Sequence, residues 1–292
     1  MDTSRSASEN ARAAFFRREL DWDNKEDQFR MARKLVDISV PLQAGIASDP
    51  PHALPVIEYR DHHMTAPAIA AYFGVGLDQL PQGEYAAVEK CTISTHNGTH
   101  LDSPYHFFSS MNHALKPGGE PSIRIDEVPL EWCFQPAVKL DFRHFEDGYV
   151  VRPEDIQAEL KRIGHRLSPL EIVVVNTRAG NRYGEADYVD AGCGMGKAAT
   201  LWMLEQGIRL VGTDGWSWDV PFSHTKRKLQ QGGEASLIWE GHRAGREIGY
   251  CHLEKLHNLE ALPSAGFQVV CFPVKVHRAS AGWTRAVAIV DE

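Results

Sequence analysis

Apolar and polar positions along the chain follow two periods. Runs that are continuously apolar or alternate with period two, bounded by turn residues, predict strands over "PAVKLDF" (136–142), "EIVVVNT" (171–177), "IRLVGTD" (208–214), "FQVVCFPVKV" (267–276) and "RAVAIVD" (285–291). Helical signals fall between them. Pro153 opens "PEDIQAELKRIG", with acids in its first turn, bases in its last and Gly164 as the stop. "GKAATLWMLEQG" (196–207) and "TAPAIAAYFG" (65–74) repeat the pattern, each ending on glycine. The chain is therefore expected to be of mixed α/β class. It shows no internal repeat, no low-complexity linker and no break in composition from residue 35 to 292, so those residues are expected to form one domain. Residues 1–34, dense in charge, are expected to form an N-terminal helical arm that packs on a partner subunit.

Composition narrows the function. A hydrophobic share of 43% over 292 residues suffices for a buried core. The balance is acidic, 39 Asp and Glu against 31 Lys and Arg, without a basic cluster to track phosphates, so nucleic acid is not the expected partner. No stretch approaches the roughly 18 apolar residues of a membrane span, and the N-terminus lacks a signal-peptide core. A cytoplasmic protein with no membrane partner is expected. Cys91, Cys133, Cys193, Cys251 and Cys271 are scattered and odd in number, and are expected to be reduced core residues.

One stretch carries chemistry. "CTISTHNGTHLDSPYHFF" (91–108) places His96, His100, Asp102 and His106 within eleven positions. A straight strand would put all four on one face but would separate His96 from His106 by about 33 Å, at roughly 3.3 Å per residue. A helix would align His96 with His100, yet Asn97, Gly98, Thr99 and the Pro104 ring oppose it. A bent turn remains. It can fold imidazoles and carboxylate around one point about 2.0–2.2 Å from each donor, as a divalent transition metal requires. Hydrogen-bonded surface or core histidines are the ordinary alternative for any one of these residues, and a poor one for four in this spacing.

"HNGTHLDSPYH" resembles the H-x-G-T-H-x-D-x-P-x-H signature of the cyclase family of metal-dependent hydrolases, which includes bacterial kynurenine formamidase and isatin hydrolase, at every fixed position. "LVDISVPLQAG" (35–45) is similar to that family's opening strand and turn, "VVVNTRAG" to its central strand, "VGTDGWSWD" (211–219) to its G-x-D segment and "FPVKVHRASAGWTRAVAIV" to its closing hairpin. The resemblance spans residues 35–291. It implies a mixed, mostly antiparallel sheet with packed helices, of the swivelling β/β/α type. It also implies that His96, His100 and Asp102 bind a first metal and that His106 handles protons. In binuclear members a later His and Glu complete a second site that shares the aspartate. His242 and Glu254 have the matching twelve-residue separation, with His252 and Glu247 as alternatives nearby. The stretch between Gly45 and Thr92 is longer than in compact formamidases and is free to reshape a pocket.

A divalent ion held by nitrogen and oxygen donors, Zn²⁺ or Mn²⁺ and one or two per chain, lowers the pKa of its water towards about 7 and polarises a carbonyl. An imidazole near neutrality such as His106 then takes the proton and delivers it to the departing nitrogen. The expected reaction is hydrolysis of a small amide, formamide, cyclic imide or lactone, by a homo-oligomer, dimer or tetramer, acting on a small molecule. Phe107, Trp216 and Trp218 are candidate walls for an aryl group, against the alternative of core packing. "GCGMG" (192–196) lacks a dinucleotide-binding spacing and reads as a helix-entry turn, and His62 and His63 are expected in a water-facing loop. Two rivals stand beside hydrolysis: a non-haem iron oxygenase built on two histidines and a carboxylate, and an idle metal-binding scaffold.

Overall fold

The structure is a computed structural model that describes residues 33–291, and its main compact unit spans Leu35–Val290. The helical arm expected over 1–34 lies outside the described residues, except that Arg33 and Lys34 open the first strand.

One nine-stranded sheet organises the unit. Its strands, numbered in chain order, are β1 (Arg33–Asp37), β2 (His100–Asp102), β3 (Phe134–Asp141), β4 (Ile172–Asn176), β5 (Leu210–Thr213), β6 (Cys251–Glu254), β7 (Phe267–Val270), β8 (Ala281–Trp283) and β9 (Val287–Asp291). Their order across the sheet is β1-β9-β7-β3-β4-β5-β6-β2-β8. The centre, β3 to β6, is parallel. Antiparallel pairs flank it on both sides, through β7 and β9 on one and β2 and β8 on the other. β4 shows why the centre reads as an unbroken apolar run. Ile172 and Val174 enter one core while Val173 and Val175 enter the other, as in any strand buried on both faces.

The helices follow their sequence signals. α1 (His62–Phe73) is capped by Asp61, whose carboxylate accepts from the backbone of His63 and Met64, and it stops at Gly74 in the left-handed region. His62 and His63 therefore begin a helix rather than sit in the expected loop. α2 (Pro104–Phe107) is one turn. α3 (Pro153–Ile163) and α4 (Lys197–Glu205) insert Ile156, Leu160, Ala199, Met203 and Leu204 into the second core. α5 (Phe222–Gln230) and α6 (Glu240–Glu247) follow. No described helix is long and apolar enough to cross a membrane.

Two expectations need correction. The closing hairpin expected over 272–290 is not a simple one: β7, just before that stretch, pairs antiparallel with β9, but β8 between them leaves to pair with β2 at the other end of the sheet. Only Thr284 to Ala286 join β8 to β9, a step of at most about 15 Å, whereas seven strand spacings of a flat sheet would need about 34 Å. The sheet is therefore curled until its ends meet. The second correction concerns Cys91, which is exposed on the ribbon of Val56–Arg60 and Val88–Thr92, while the other four cysteines are buried; all five are free.

The "GCGMG" run is a close-packing device. Gly194 and Met195 pair with Val150 and Val151, and a Cβ on Gly194 would lie 1.9 Å from the backbone nitrogen of Val220. The neighbouring Asp219 serves the site described next. Gly194→Ala is expected to destabilise the fold by at least about 1–3 kcal/mol, the usual cost of overpacking, read as a lower urea midpoint at unchanged slope. A midpoint equal to wild type would show that the 219–220 backbone yields freely.

Candidate metal centre

Strands β2 and β6 carry two nearly identical tripeptides, His-Leu-Asp (100–102) and His-Leu-Glu (252–254). They pair antiparallel in the register His252 with Asp102, Leu253 with Leu101 and Glu254 with His100. Successive side chains of a strand point to opposite faces. Both leucines thus enter the core, and His100, Asp102, His252 and Glu254 share the other face.

The bend expected before this strand is present. Gly98 adopts φ +64°, a region that costs other residues steric strain, and turns the chain into β2. Asn97 and Thr99 fix the turn: the Asn97 amide donates to Asp49 and to the Ala53 carbonyl, while the Thr99 hydroxyl donates to the Lys255 carbonyl at 2.6 Å and accepts from the Val40 backbone. After Asp102, Pro104 starts α2, which returns His106 towards the same point.

Asp102 stands in the middle. Its Oδ1 lies 2.9 Å from His96 Nδ1 and 3.3 Å from His100 Nε2, and its Oδ2 lies 3.1 Å from His252 Nε2 and 3.7 Å from His106 Nε2. His100 Nε2 is also 3.6 Å from Glu254 Oε2, and His252 Nε2 is 3.1 Å from Glu254 Oε1. Two sets of donors can each close on an ion: Asp102, His242, His252 and Glu254, and His96, Asp102 and His106.

The outer atoms orient the inner ones. His100 Nδ1 faces the Gly98 carbonyl at 2.9 Å and so carries the proton, leaving the Nε2 lone pair directed inward. His96 Nε2 meets the Ser280 hydroxyl at 3.1 Å. His242 Nδ1 makes a very short contact with Asp219, which also accepts the backbone N–H groups of Gly241 and His242 at the start of α6. The Trp218 backbone N–H holds Glu254 Oε1 at 2.9 Å.

These donors fit a cation better than they fit one another. His100 Nε2 and Asp102 Oδ1 are fully buried and neither makes a hydrogen bond of proper geometry, although they lie 3.3 Å apart and His96 Nδ1 lies 2.9 Å from the same oxygen. Buried polar atoms are rarely left so. Protonation energetics agree. Burial disfavours charge on Asp102, yet His106, His96 and His100 around it hold its pKa well below the carboxylate range. Glu254, likewise opposed by burial, is drawn down to about 2 by His252. His252 is pushed down by burial, but the two carboxylates overcome this and raise it to about 9. Burial wins at His106, which drops to about 4 despite Asp102 and is neutral at pH 7.

A cavity of about 180 Å³ opens on this face, lined by His96, His106, His242 and Glu254, by Trp216, Phe222 and Trp239, and by Asp49 and Lys255. The Trp239 ring stacks on His242 at 4.4 Å and 7° and lies 5.3 Å from His106. Of the three aromatic residues expected as walls, Trp216 lines the cavity. Phe107 and Trp218 stand behind it in the core, Phe107 stacked on His252 at 4.9 Å, because their positions place them on the inner side of α2 and of the 215–219 turn. Among the alternatives for the second pair, His252 joins the cluster and Glu247 does not; it lies 3.7 Å from Lys197. Sequence reasoning passed over Asp219, Phe222, Trp239, Asp49 and Lys255. It weighed His252 without the signal that marks it, the repetition of His-Leu-acid.

Comparison with known proteins places the chain. Residues 36–220 match the family model described as "Putative cyclase". The chain belongs to this cyclase family. Similar solved structures include isatin hydrolase A from Labrenzia aggregata bound to benzyl benzoate (24% identity, 89% of this chain and 94% of that one, TM-score 0.66). Isatin hydrolase A from Ralstonia solanacearum is 20% identical over 99% of this chain and 98% of its own, TM-score 0.66. A structure titled as a potential metal-dependent hydrolase with cyclase activity is 17% identical over 88% and 99%, TM-score 0.58. At these identities the likeness is one of fold, and this cyclase-family fold is the α/β class expected from the sequence.

Between the two carboxylates, His252 holds a proton that an incoming cation must displace. Because its pKa is raised to about 9, the proton competes throughout the neutral range. Metal affinity is expected to rise with pH up to about 9 and level off above. Calorimetric titration at pH 7 in buffers of different ionisation enthalpy should show about one proton released per ion at that position; an enthalpy independent of buffer would contradict it.

Proposed function

We propose that this cyclase-family protein is a metal-dependent hydrolase that cleaves a C–N bond of a small amide, formamide or cyclic imide, or the C–O bond of a lactone, in an aromatic or cyclic substrate. The observation that carries the reading is Asp102, fully buried among inward-directed imidazole nitrogens, with its Oδ1 left without a hydrogen bond. His96, His100 and Asp102 would hold a first divalent ion, Zn²⁺ or Mn²⁺. His242 and Glu254, with His252, would hold a second that shares Asp102. Such an ion polarises a carbonyl and lowers the pKa of water.

The chain's own groups supply the rest. His106 borders the cavity and is neutral at pH 7, so its Nε2 is free to take a proton from water and pass it to the leaving nitrogen. Trp216, Phe222 and Trp239 give the cavity flat apolar walls suited to an aromatic or cyclic substrate. The names of the isatin hydrolases and of the metal-dependent hydrolase among the structural neighbours support the same reaction class.

Hydrolysis of a panel of N-formylkynurenine, isatin, cyclic imides and lactones tests the proposal. Turnover is expected without oxygen, lost on thorough metal removal and restored by Zn²⁺ or Mn²⁺. Full turnover in metal-free protein refutes it, and a strict need for oxygen favours the oxygenase. His106→Ala should retain most of the metal while losing catalysis by about 10²–10⁴, the usual worth of a positioned acid or base; an emptied site would make His106 a ligand instead. Under saturating zinc, two ions in wild type should fall to one in His242→Ala and Glu254→Ala. One ion in all three proteins would leave these residues as supports for the first site.

A further inference from the structure

Beside the metal centre lies a second buried charge that the reaction scheme does not use. Asp49, in the longer stretch after Gly45, is 7% exposed and accepts from four side chains: the Ser48 hydroxyl at 3.0 Å, the Asn97 amide at 3.0 Å, the Trp216 indole N–H at 3.1 Å and the Lys255 ammonium at shorter range. Lys255 is 1% exposed and also donates to the His96 carbonyl at 2.7 Å. It follows Glu254 directly and adopts φ +58°, a left-handed conformation uncommon outside glycine.

A buried ion pair is seldom a net source of stability, because both ions lose their hydration. What this pair holds is specific. Through Asn97 and the His96 carbonyl it grips the turn that presents His96 to Asp102. Through the Lys255 backbone it grips the end of β6, which presents Glu254. Through the Trp216 indole it grips the cavity wall. All three meet at the Asp49–Lys255 pair, and Lys255 itself sits in a left-handed turn.

We propose that Asp49 and Lys255 are positioning residues that set the His96 and Glu254 donors and the Trp216 wall as one unit, so that metal affinity and substrate fit depend on the same buried pair. This rests on the metal-dependent reading above. A purely structural pair would affect only folding.

The test is the double variant Asp49→Asn/Lys255→Met, which leaves no buried charge unpaired and is expected to melt close to wild type. Divalent-metal affinity is read by competition of the metal-free protein against a chromophoric chelator. The expected result is binding 10- to 100-fold weaker than wild type, the range for groups that orient ligands, together with a several-fold rise in KM when metal is saturating. Wild-type affinity and KM in the folded variant would overturn the inference. Should that variant not fold, Asp49→Asn/Lys255→Gln refills the space with two neutral amides, the Gln side chain ending one bond short of the position of the Lys255 ammonium. The same loss is expected and the same retention overturns it. Wild type that binds no divalent ion would instead sink the metal-dependent reading itself.

Discussion

The structure depends on keeping one carboxylate charged where no water reaches it. Removing a carboxylate from water costs several kcal/mol even after relaxation, and Asp102 is fully buried. Four imidazoles surround it, yet His100 Nε2 and Asp102 Oδ1 remain without hydrogen bonds. The imidazoles offset this only in part: His252, raised to about 9 between the two carboxylates, carries one positive charge against two negative ones, while burial holds His106 neutral. A cation at the common focus would offset the penalty at all of these atoms together. That is why the donor set reads as a metal centre and not as a polar core network.

The curled sheet is what makes such a focus possible. Asp102 and His252 sit opposite each other in one strand pair, and His100 and Glu254 in the same pair, so the register alone fixes four donors. His96 and His106 come from the turns at either end of β2, and His242 from the start of α6, held there by Asp219. The curl brings β8 against β2, which places Ser280 behind His96. None of these positions tolerates a shift in register, because a slip of one residue would exchange Leu101 for Asp102 and put the carboxylate into the apolar core.

Much of this was legible in the chain. The central strands announced themselves because both faces are buried, and α3 because its charges follow the helix dipole. The bend at Gly98 followed from elimination of strand and helix over residues 96–106. What local pattern could not give was pairing between distant segments. The 281–283 stretch carries no strand signal of its own, and only the closure of the whole sheet shows that it pairs with β2 while the adjoining β9 pairs with β7. Trp216 and Trp218 are equivalent as letters; the bend over 214–220 breaks strand alternation and sends one to the cavity and the other to the core. Asp49 and Lys255 lie 206 positions apart in a stretch and a strand end that carry no motif, so the buried pair emerges only in three dimensions.

The most direct measurement is anomalous X-ray diffraction from crystals grown with Zn²⁺ or Mn²⁺, with data collected at the metal's absorption edge. The account predicts an anomalous peak bonded to Asp102, about 2.0–2.2 Å from an oxygen of that carboxylate, with the inward nitrogens of His96 and His100 as its further donors. A fully loaded crystal whose metal peaks all lie away from Asp102, with the seven imidazole and carboxylate side chains unmoved, would contradict it.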